Sequence, residues 1–268
     1  MKPGRIEDLS RYKQICDLYG MRGCASNDYI QQDAARLIEQ GALYEICGEK
    51  NAFLFVQKEG FWRLYYYLND FNEELAIDKG EFVTEILYRG VQGEPGDQVR
   101  FLENCGFKRN LTRDLFFVKY ANVSHAALPS DLVIADAISL AEVEWAAKLF
   151  NSTFDKWSGD FISPASYQSL LDRKCILVAK DSKGELLGAF ESEVERGVNW
   201  LRHFAVAETA RGRGVGKSLL DSVIEKGHVD ENSRYMLWVQ QNNHPAVNMY
   251  KKKGFSYMGK STLSMIKL

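Results

Sequence analysis

Three glycines at alternate positions constrain this chain more than any other feature of its sequence. They lie in Arg211-Gly212-Arg213-Gly214-Val215-Gly216-Lys217-Ser218, between an apolar strand pattern that ends near Val206 and an apolar helical pattern. The first turn of a helix has unpaired backbone amides and the positive end of the helix dipole, so it favours a phosphate group. Glycine lets the backbone approach such an anion closely, and the arginines add cationic donors. The segment predicts a phosphate-binding turn.

Two better-known glycine motifs do not fit this segment. A Walker loop needs glycine five positions before Gly216, where the chain has Arg211. A dinucleotide fingerprint needs glycine at position 217 or 219, which are Lys217 and Leu219. The pattern that is met is Arg-x-x-Gly-x-Gly, formed by Arg211, Gly214 and Gly216.

The order of elements predicts an α/β fold in which each half of the chain is a twisted mixed sheet flanked by helices. The second half predicts strands 132–137, 175–179, 186–194, 198–206 and 235–240 with a terminal strand pair, a helix from the N-cap Ser139 to Phe154, a helix opened by Ser163-Pro164, and helices 217–226 and 245–253. The first half predicts strands 43–47, 53–57, 61–68, 82–88 and 114–119, and a helix over 97–104.

The length of 268 residues indicates two domains. We predict one domain over 1–122, a linker over 123–131 that contains Pro129, and a second domain over 132–268. An internal echo supports two similar halves: Gly106-Phe107 and Gly254-Phe255 each end a predicted helix before a closing strand. Glycine at a helix end suits the left-handed C′ position.

A second motif follows the glycine loop after one more strand. It is Asn243-x-x-Ala246-x-x-x-Tyr250-x-x-x-Gly254-Phe255. With both motifs in order, residues 132–268 resemble the GCN5-related N-acetyltransferase (GNAT) superfamily. The resemblance implies an acyltransferase that moves an acetyl or short acyl group from acetyl-CoA to a primary amine by direct attack in a ternary complex, without a metal.

The resemblance also implies a binding site for acetyl-CoA. The loop would bind the pyrophosphate, the strand ending at Val206 would pair with the pantetheine arm, Asn243 would hydrogen-bond that arm, and Ala246 would let it pass. The cofactor-binding residues expected on this basis are Phe204, Ala205, Val206, Arg211, Gly212, Arg213, Gly214, Val215, Gly216, Lys217, Ser218, Asn243, Ala246 and Tyr250.

Tyr250 is the predicted general acid. If 245–253 is a helix, Ala246 and Tyr250 share one face, because four residues make about one turn. A phenol with an ordinary pKa of about 10 can protonate a departing thiolate once charge develops on sulfur. A tyrosine packed in the core is the alternative interpretation.

The general base stays open at this point. His203, Glu191 and Glu193 are the candidates, although strand alternation places His203 on the face opposite Arg202 and Phe204. Glu191, Glu193 and Glu195 share one strand face, which could bind a cationic amine or could simply be solvated. Trp200 stands where relatives can carry a catalytic polar residue.

The first half is expected to be a degenerate, tandem copy without a cofactor site. Its loop counterpart, 69–76, contains three acids and no glycine, and Leu102 stands where Tyr250 stands in the second half. An unrelated α/β domain is the alternative.

Composition limits the remaining possibilities. The net charge of −2 gives no general attraction to nucleic acid, and five irregularly spaced cysteines indicate neither a disulfide framework nor a zinc site. Without a signal peptide or an apolar run of membrane length, we expect a cytoplasmic protein that does not bind membranes. The expected acceptor is a small-molecule amine; the alternatives are a protein N terminus or lysine, and a non-catalytic acyl-CoA-binding regulatory module.

Overall fold

Strands with buried apolar residues form a mixed series of paired strands in each of two compact units of this chain. The computed structural model describes residues 3–73, 77, 80–124, 132–157 and 161–268. Unit 1 consists of Met1–Thr112 with Gly259–Leu268, and unit 2 consists of Arg113–Met258. Each unit has helices on both faces of its sheet, which confirms the α/β class.

The first half of the chain supplies most of unit 1. Its elements are β1 (Gly4–Arg5), α1 (Leu9–Tyr19), β2 (Ala25–Ser26), α2 (Ala34–Glu39), β3 (Leu43–Cys47), β4 (Ala52–Lys58), β5 (Phe61–Leu68), β6 (Phe82–Arg89), α3 (Gly96–Asn104) and β7 (Lys108–Lys119).

The second half of the chain supplies most of unit 2. Its elements are β8 (Val133–Asp136), α4 (Leu140–Thr153), α5 (Tyr167–Asp172), β9 (Ile176–Lys180), β10 (Leu186–Glu195), β11 (Val198–Val206), α6 (Val215–Lys226), β12 (Arg234–Gln240), α7 (His244–Lys252) and β13 (Ser256–Lys267).

The strands of the two units have the same pattern of pairing. Unit 1 has the order β1-β3-β4-β5-β6-β13, and unit 2 has the order β7-β12-β11-β10-β9-β8. Among the described residues, the parallel pair is β5–β6 in unit 1 and β11–β12 in unit 2. The other strand pairs within these two orders are antiparallel. In each unit the parallel pair is formed by the second and third strands, counted from β13 in unit 1 and from β7 in unit 2.

Burial on both faces of each sheet holds the helices in place. In unit 2 the cores are formed against α6 and α7 on one face and against α4 and α5 on the other. In unit 1 they are formed against α3 on one face and against α1 and α2 on the other. Unit 2 therefore has two helical layers around the sheet that carries the glycine loop.

The echo between the two halves is a repeated helix end. Gly106 and Gly254 both have positive φ, at 89° and 104°. The amides of Phe107 and Phe255 donate to the carbonyls of Leu102 and Tyr250, both at 3.0 Å. This is the hydrogen bond of a Schellman motif, and both phenylalanines are buried. The predicted left-handed C′ glycines are confirmed.

The closing strands differ from their prediction. The strand after Phe107 is 12 residues long, and it pairs with β12 through residues 113–119 of unit 2. The predicted terminal strand pair is wrong, because β13 is one 12-residue strand whose residues 260–267 pair with β6 in unit 1. The compact units therefore interleave along the chain, whereas the predicted boundaries at 122 and 132 follow chain order. Residues 125–131 of the predicted linker lie outside the described residues.

Local sequence signals predicted the other elements of unit 2 close to their observed bounds. Ser139 is the predicted N-cap, and its side chain accepts a hydrogen bond from the Glu142 amide. Pro164 begins a short 3₁₀ turn that leads into α5. Helix α6 begins two residues earlier than predicted, because Gly214 at φ 82° is its N-cap. The helices α1 and α2 of unit 1 were not predicted.

We predict that the two helix-end glycines differ in their tolerance of alanine. Gly106→Ala should lower the free energy of unfolding by about 1–2 kcal/mol, the cost of a left-handed non-glycine residue. Gly254→Ala should cost more, because its Cβ would also clash with the Asn122 carbonyl oxygen, whereas at Gly106 the nearest atom is the flexible Lys267 side chain at 3.5 Å. Urea denaturation measures both values, and equal losses would contradict this reading of the Asn122 contact.

Candidate active site

An opening between two parallel strands is the main feature of unit 2. Strands β11 and β12 pair only from Val198 to Trp200 on β11 and from Arg234 to Met236 on β12. Beyond that register both strands continue without pairing to each other. The cleft that results has a volume of about 230 Å³. Its described lining is Arg113, Thr153, Phe154, Trp200, Leu201, Arg202, His203, Phe204, Trp238, Val239, Gln240, Asn243, Ala246 and Tyr250.

A β-bulge shapes the β11 side of this cleft. Phe190 pairs with Phe204 and Ser192 pairs with Leu201, so one residue of β10 opposes two residues of β11. Arg202 and His203 are the two β11 residues that lie opposite Glu191 of β10. A bulge bends its strand and redirects side chains. It explains why residues of both strand faces border one cleft.

The glycine loop has the predicted position at the start of α6. A short 3₁₀ turn over Glu208–Ala210 precedes it, and Gly212 and Gly214 have φ values of 77° and 82°. Within the described residues, no backbone carbonyl accepts a hydrogen bond from the amides of 212–217. A Cβ on Gly216 would lie 3.1 Å from Cζ of Phe204, so glycine allows the helix to start against β11.

The side chains of the loop divide into two groups. Arg211, Arg213 and Lys217 are exposed cations. Val215 and Ser218 are buried, and the Ser218 amide donates to the Gly214 carbonyl at 3.0 Å. The loop therefore presents amides and cationic side chains outward, while Val215 and Ser218 anchor α6 in the core.

Helix α7 places three predicted residues at the cleft. Asn243 is the N-cap, and its Oδ1 accepts a hydrogen bond from the Ala246 amide at 3.2 Å. Ala246 and Tyr250 follow on one face, one turn apart. Tyr250 is 6% exposed, lines the cleft and packs edge-on against Phe255 at 5.7 Å between ring centroids. Burial raises the pKa of the Tyr250 phenol, so the protonated form is favoured.

His203 and Glu191 form a close pair at the bulge. Nδ1 of His203 lies 2.6 Å from Oε2 of Glu191, and both side chains are about one-eighth exposed. The imidazole also packs against the rings of Phe150 and Phe154, at 5.4 and 5.5 Å between centroids. His203 thus faces the α4 side, opposite Phe204, as alternation predicts, yet it also borders the cleft. A carboxylate bound to one imidazole nitrogen orients the ring and its other nitrogen.

The other carboxylates of β10 are engaged by arginines. Glu193 forms an ion pair with Arg173, and Glu195 forms one with Arg202. Neither glutamate is among the described residues that line the cleft. On the strand face that could have been an acidic surface, the charges of Glu193 and Glu195 are therefore neutralised by arginines.

Sequence reasoning missed the side chains on the far side of the cleft. Trp238 and Gln240 lie on β12, and their pairing partners Leu115 and Arg113 lie on β7. Trp200 borders the same space, with the Arg202 guanidinium 5.4 Å from its ring centroid. The strand pairing that brings Arg113 to this cleft joins residues more than 120 positions apart, and no local signal in the sequence indicates it.

Comparison with known proteins agrees with this geometry. Residues 141–255 match the model of the acetyltransferase (GNAT) family. This region, which is less than half of the chain, is similar to the GNAT family. The match includes the bulge, the glycine loop and the Tyr250 motif, and so covers most of unit 2.

Solved structures extend the likeness of fold over more of the chain. A GCN5-related N-acetyltransferase from Sphaerobacter thermophilus has a TM-score of 0.60 at 13% identity, covering 81% of this chain and 76% of that chain. One from Kribbella flavida has a TM-score of 0.56 at 12% identity, covering 90% and 96%. A tandem GNAT protein from the clavulanic acid biosynthesis pathway has a TM-score of 0.57 at 13% identity, covering 84% and 82%. No curated protein matches the chain.

The corresponding strand opening in unit 1 is filled by the chain itself. Strands β5 and β6 pair in parallel only at Trp62–Phe82 and Arg63–Val83. Beyond them, β2 pairs with β5 at Leu68 and Tyr67. The buried Asn27 then joins both strands: its Oδ1 accepts from the Tyr66 amide at 2.7 Å, and its Nδ2 donates to the Glu85 carbonyl at 2.8 Å.

The acidic loop of unit 1 also has a structural role. The Glu73 carboxylate accepts hydrogen bonds from the amides of Glu49 and Asn51, at 2.6 and 2.8 Å. Leu102, at the position that corresponds to Tyr250, is fully buried. Glu74–Ala76 of this predicted loop lie outside the described residues.

The described parts of the chain show neither a metal-binding cluster nor a membrane-spanning helix. They contain no group of three or more His, Cys, Asp or Glu that could hold a metal ion. They also contain no helix with the length and apolar character needed to cross a membrane.

A buried ion pair joins α6, which begins at the glycine loop, to the end of α7, which carries Tyr250. Lys253, just after α7, forms an ion pair with Asp221 of α6, and the two residues are 5% and 7% exposed. The Lys253 ammonium also donates to the Ser124 carbonyl at 2.6 Å. The contact fixes the Tyr250 helix against the helix that begins at the glycine loop.

We predict that breaking this pair from one side destabilises unit 2. Lys253→Met leaves the Asp221 carboxylate buried without its cation, and should lower the free energy of unfolding by about 3–5 kcal/mol. The double variant Asp221→Leu/Lys253→Met should regain most of that loss, because no charge stays buried. Urea denaturation of both proteins tests this expectation. A double variant no more stable than the single one would contradict it.

Proposed function

We propose that the GNAT region transfers an acetyl or short acyl group from acyl-CoA to a primary amine by direct attack in a ternary complex. One observation carries the proposal: the opening between β11 and β12 is bordered at one end by Ala246 and Tyr250, and α6 begins with unpaired amides against the same strand β11. An anionic thioester with a narrow arm fits an arrangement of this kind. We expect the reaction in the cytoplasm, with no metal.

The loop would hold the diphosphate of the acyl-CoA. The amides of 212–217 lie at the positive end of the dipole of a 12-residue helix. Arg211, Arg213 and Lys217 are exposed beside them and would add charge-assisted hydrogen bonds. The residues present therefore fit a diphosphate.

The free edge of β11 would hold the pantetheine arm. Residues 204–206 pair with β10 on one side and have no pairing with β12 on the other. An amide-containing chain can add to such an edge as an extra strand. Asn243 uses its Oδ1 to cap α7, so its Nδ2 is the group that would donate to the arm.

Tyr250 would protonate the leaving thiolate. Attack by the amine forms a C–N bond at the thioester carbonyl, and collapse of the intermediate breaks the C–S bond. The sulfur then needs a proton, and burial keeps the Tyr250 phenol protonated until charge develops nearby. The Tyr250 ring also packs edge-on against Phe255, and this contact fixes the direction in which the phenol points.

His203 would accept the proton that the amine loses. Glu191 holds Nδ1, so Nε2 is the nitrogen available to act as base, and Glu191 stabilises the imidazolium that forms. In this proposal Glu191 is a positioning residue. Glu193 forms an ion pair with Arg173 and does not line the cleft, so it is the weakest of the three candidates for the general base.

Unit 1 would bind no acyl-CoA. Its strand opening is occupied by β2 and Asn27, and its loop places Glu73 where a diphosphate would need cations. We therefore expect one acyl-CoA per chain and a role for unit 1 in structure or acceptor recognition.

Tyr250→Phe separates the enzyme from a non-catalytic acyl-CoA-binding module. We expect an unchanged Kd for acetyl-CoA and a loss of about 10²–10⁴ in kcat, because only the proton donor is removed. In the native protein the raised pKa of the phenol should prevent any loss of rate from its ionisation between pH 7 and 9. Thiol release and calorimetry measure the two quantities. Unchanged turnover in the variant would remove the acid role.

Gly214→Asp tests the phosphate site. We expect the native chain to bind one molecule of acetyl-CoA. In the variant the carboxylate would repel the diphosphate, and we expect binding to fall below detection by calorimetry. Gly184→Asp is the matched control, since Gly184 has φ 83° in an open turn of unit 2 and controls for the strain of a left-handed aspartate. Normal binding by the Gly214 variant would place the site elsewhere.

His203→Gln tests the base. We expect kcat to fall by about 10²–10⁴ with amines that are protonated at neutral pH, and much less with methoxyamine, which is neutral at that pH. Glu191→Gln should give a smaller loss with the same dependence on the amine, because it only positions His203. Steady-state thiol release measures these rates. Equal losses for both classes of amine would argue against proton transfer by His203.

A further inference from the structure

Two tryptophans, Trp200 of β11 and Trp238 of β12, border the cleft from the same face of the sheet. Leu201, next to Trp200, belongs to the core against α6 and α7, and so do both chain neighbours of Trp238. Because side chains alternate between the two faces of a strand, both indoles lie on the opposite face, which is the α4 side. The His203 ring packs against α4 on this same face.

The strand register sets Trp238 across the opening from His203. Trp200 and Met236 form the last parallel pair, and β11 and β12 separate after it. Two residues further along β12 is Trp238. On β11 the same advance, with one extra residue in the bulge, leads to His203. An acceptor whose amine reaches His203 therefore has Trp238 on the opposite strand and Trp200 at the closed end of the cleft.

The two indoles have surface that the protein itself does not use. Both side chains are half-buried. Within the described part of the chain, no other aromatic ring packs against either indole, and neither indole N–H donates a hydrogen bond. The Arg202 guanidinium lies 5.4 Å from the ring centroid of Trp200. Contact with a ligand would remove the remaining apolar surface from water, which favours binding.

The lining of the cleft favours an uncharged body on the acceptor. Among the described lining residues there is no Asp or Glu, so a second ammonium group would have no carboxylate to bind. Glu195 lies outside the lining and forms an ion pair with Arg202. What the lining supplies is aromatic rings, which belong to Phe154, Trp200, Phe204, Trp238 and Tyr250.

We propose that the acceptor is a primary amine that carries an aromatic ring on a short alkyl chain, and that Trp200 and Trp238 bind the ring. The inference rests on the proposed function. Aromatic rings pack offset or edge to face on indoles, and such pairs gain more than the burial of the same apolar area. The amine nitrogen bonds to the acyl carbon while the C–S bond breaks. His203 takes the proton of the amine, and the sulfur takes the proton of Tyr250.

The size of the cleft agrees with an acceptor that has one ring system. Its volume of about 230 Å³ has to hold the acyl end of the thioester and the acceptor together. A short chain is enough to join a ring on Trp238 to an amine at His203, because the two residues face each other across the opening. A peptide or an oligosaccharide needs more room than this cleft has.

A panel of amines tests the inference. The aromatic members are 2-phenylethylamine and tryptamine. In the controls, n-butylamine has no ring, 2-cyclohexylethylamine has an apolar body that is not aromatic, and spermidine is cationic. We expect kcat/KM for the better aromatic amine to exceed that for n-butylamine and spermidine at least tenfold, and that for 2-cyclohexylethylamine at least threefold. Smaller ratios, or a preference for any of the three controls, would overturn the inference.

Tryptophan variants locate the ring. Trp200→Leu and Trp238→Leu should each lower kcat/KM for the preferred aromatic amine at least tenfold, mainly through KM, and change the value for n-butylamine less than threefold. Trp238→Phe keeps a ring and should retain at least a third of the native value. Trp62→Leu, in the parallel strand pair of unit 1, is the matched control and should change neither rate.

Two results with these variants would contradict a ring site. One is an equal loss for the aromatic amine and n-butylamine in the leucine variants. The other is a loss in Trp238→Phe as large as that in Trp238→Leu. Either would mean that the tryptophans support the fold and do not bind the acceptor.

Binding measurements separate this inference from the proposed function. If acetyl-CoA does not bind, or binds while no amine is acetylated, the proposed function fails. Calorimetry with N-acetyl-2-phenylethylamine and N-butylacetamide, on the CoA-loaded protein or on the protein alone if CoA does not bind, then decides the inference independently. Binding of the aromatic amide that is at least tenfold tighter, and that is lost in Trp238→Leu, supports it. A smaller difference, or no binding of either compound, overturns it.

Discussion

The separation of β11 from β12 beyond Trp200 and Met236 is the feature on which the rest of unit 2 depends. Two parallel strands that stay paired leave no room between them, and a sheet that opens exposes backbone groups that need partners. In unit 1 the chain supplies those partners itself, through β2 and Asn27. In unit 2 the same opening is lined by side chains suited to chemistry. The two units thus share an architecture and differ in what occupies one gap.

Each functional element of unit 2 is fixed to this opening by a separate contact. Gly216 allows α6 to start against Phe204, and the Lys253–Asp221 pair holds α7 to α6. The bulge opposite Glu191 turns His203 toward the cleft, where Phe150 and Phe154 hold its ring. The glycine loop, Tyr250 and His203 are therefore positioned by packing before any ligand is present, and preorganisation of this kind lowers the cost of reaching a transition state.

Local sequence signals predicted the elements of unit 2 and most of its candidate site, because glycine turns, helix caps and strand alternation act over a few residues. The Ser139 cap, the start of α6 at the glycines and the shared face of Ala246 and Tyr250 are of this type. These local signals do not predict which residues distant in the chain pair with each other. The crossing of β7 into unit 2, the bulge that brings His203 to the cleft and the ion pairs of Glu193 and Glu195 depend on partners distant in the chain.

A crystal structure with bound acetyl-CoA tests the central claim most directly. The account predicts one ligand per chain, with its diphosphate on the amides of 212–217, its pantetheine arm along residues 204–206 and its sulfur within about 4 Å of the Tyr250 hydroxyl, a distance that proton transfer requires before the donor closes in. A ligand bound in unit 1, or one whose sulfur lies outside the opening between β11 and β12, would contradict it.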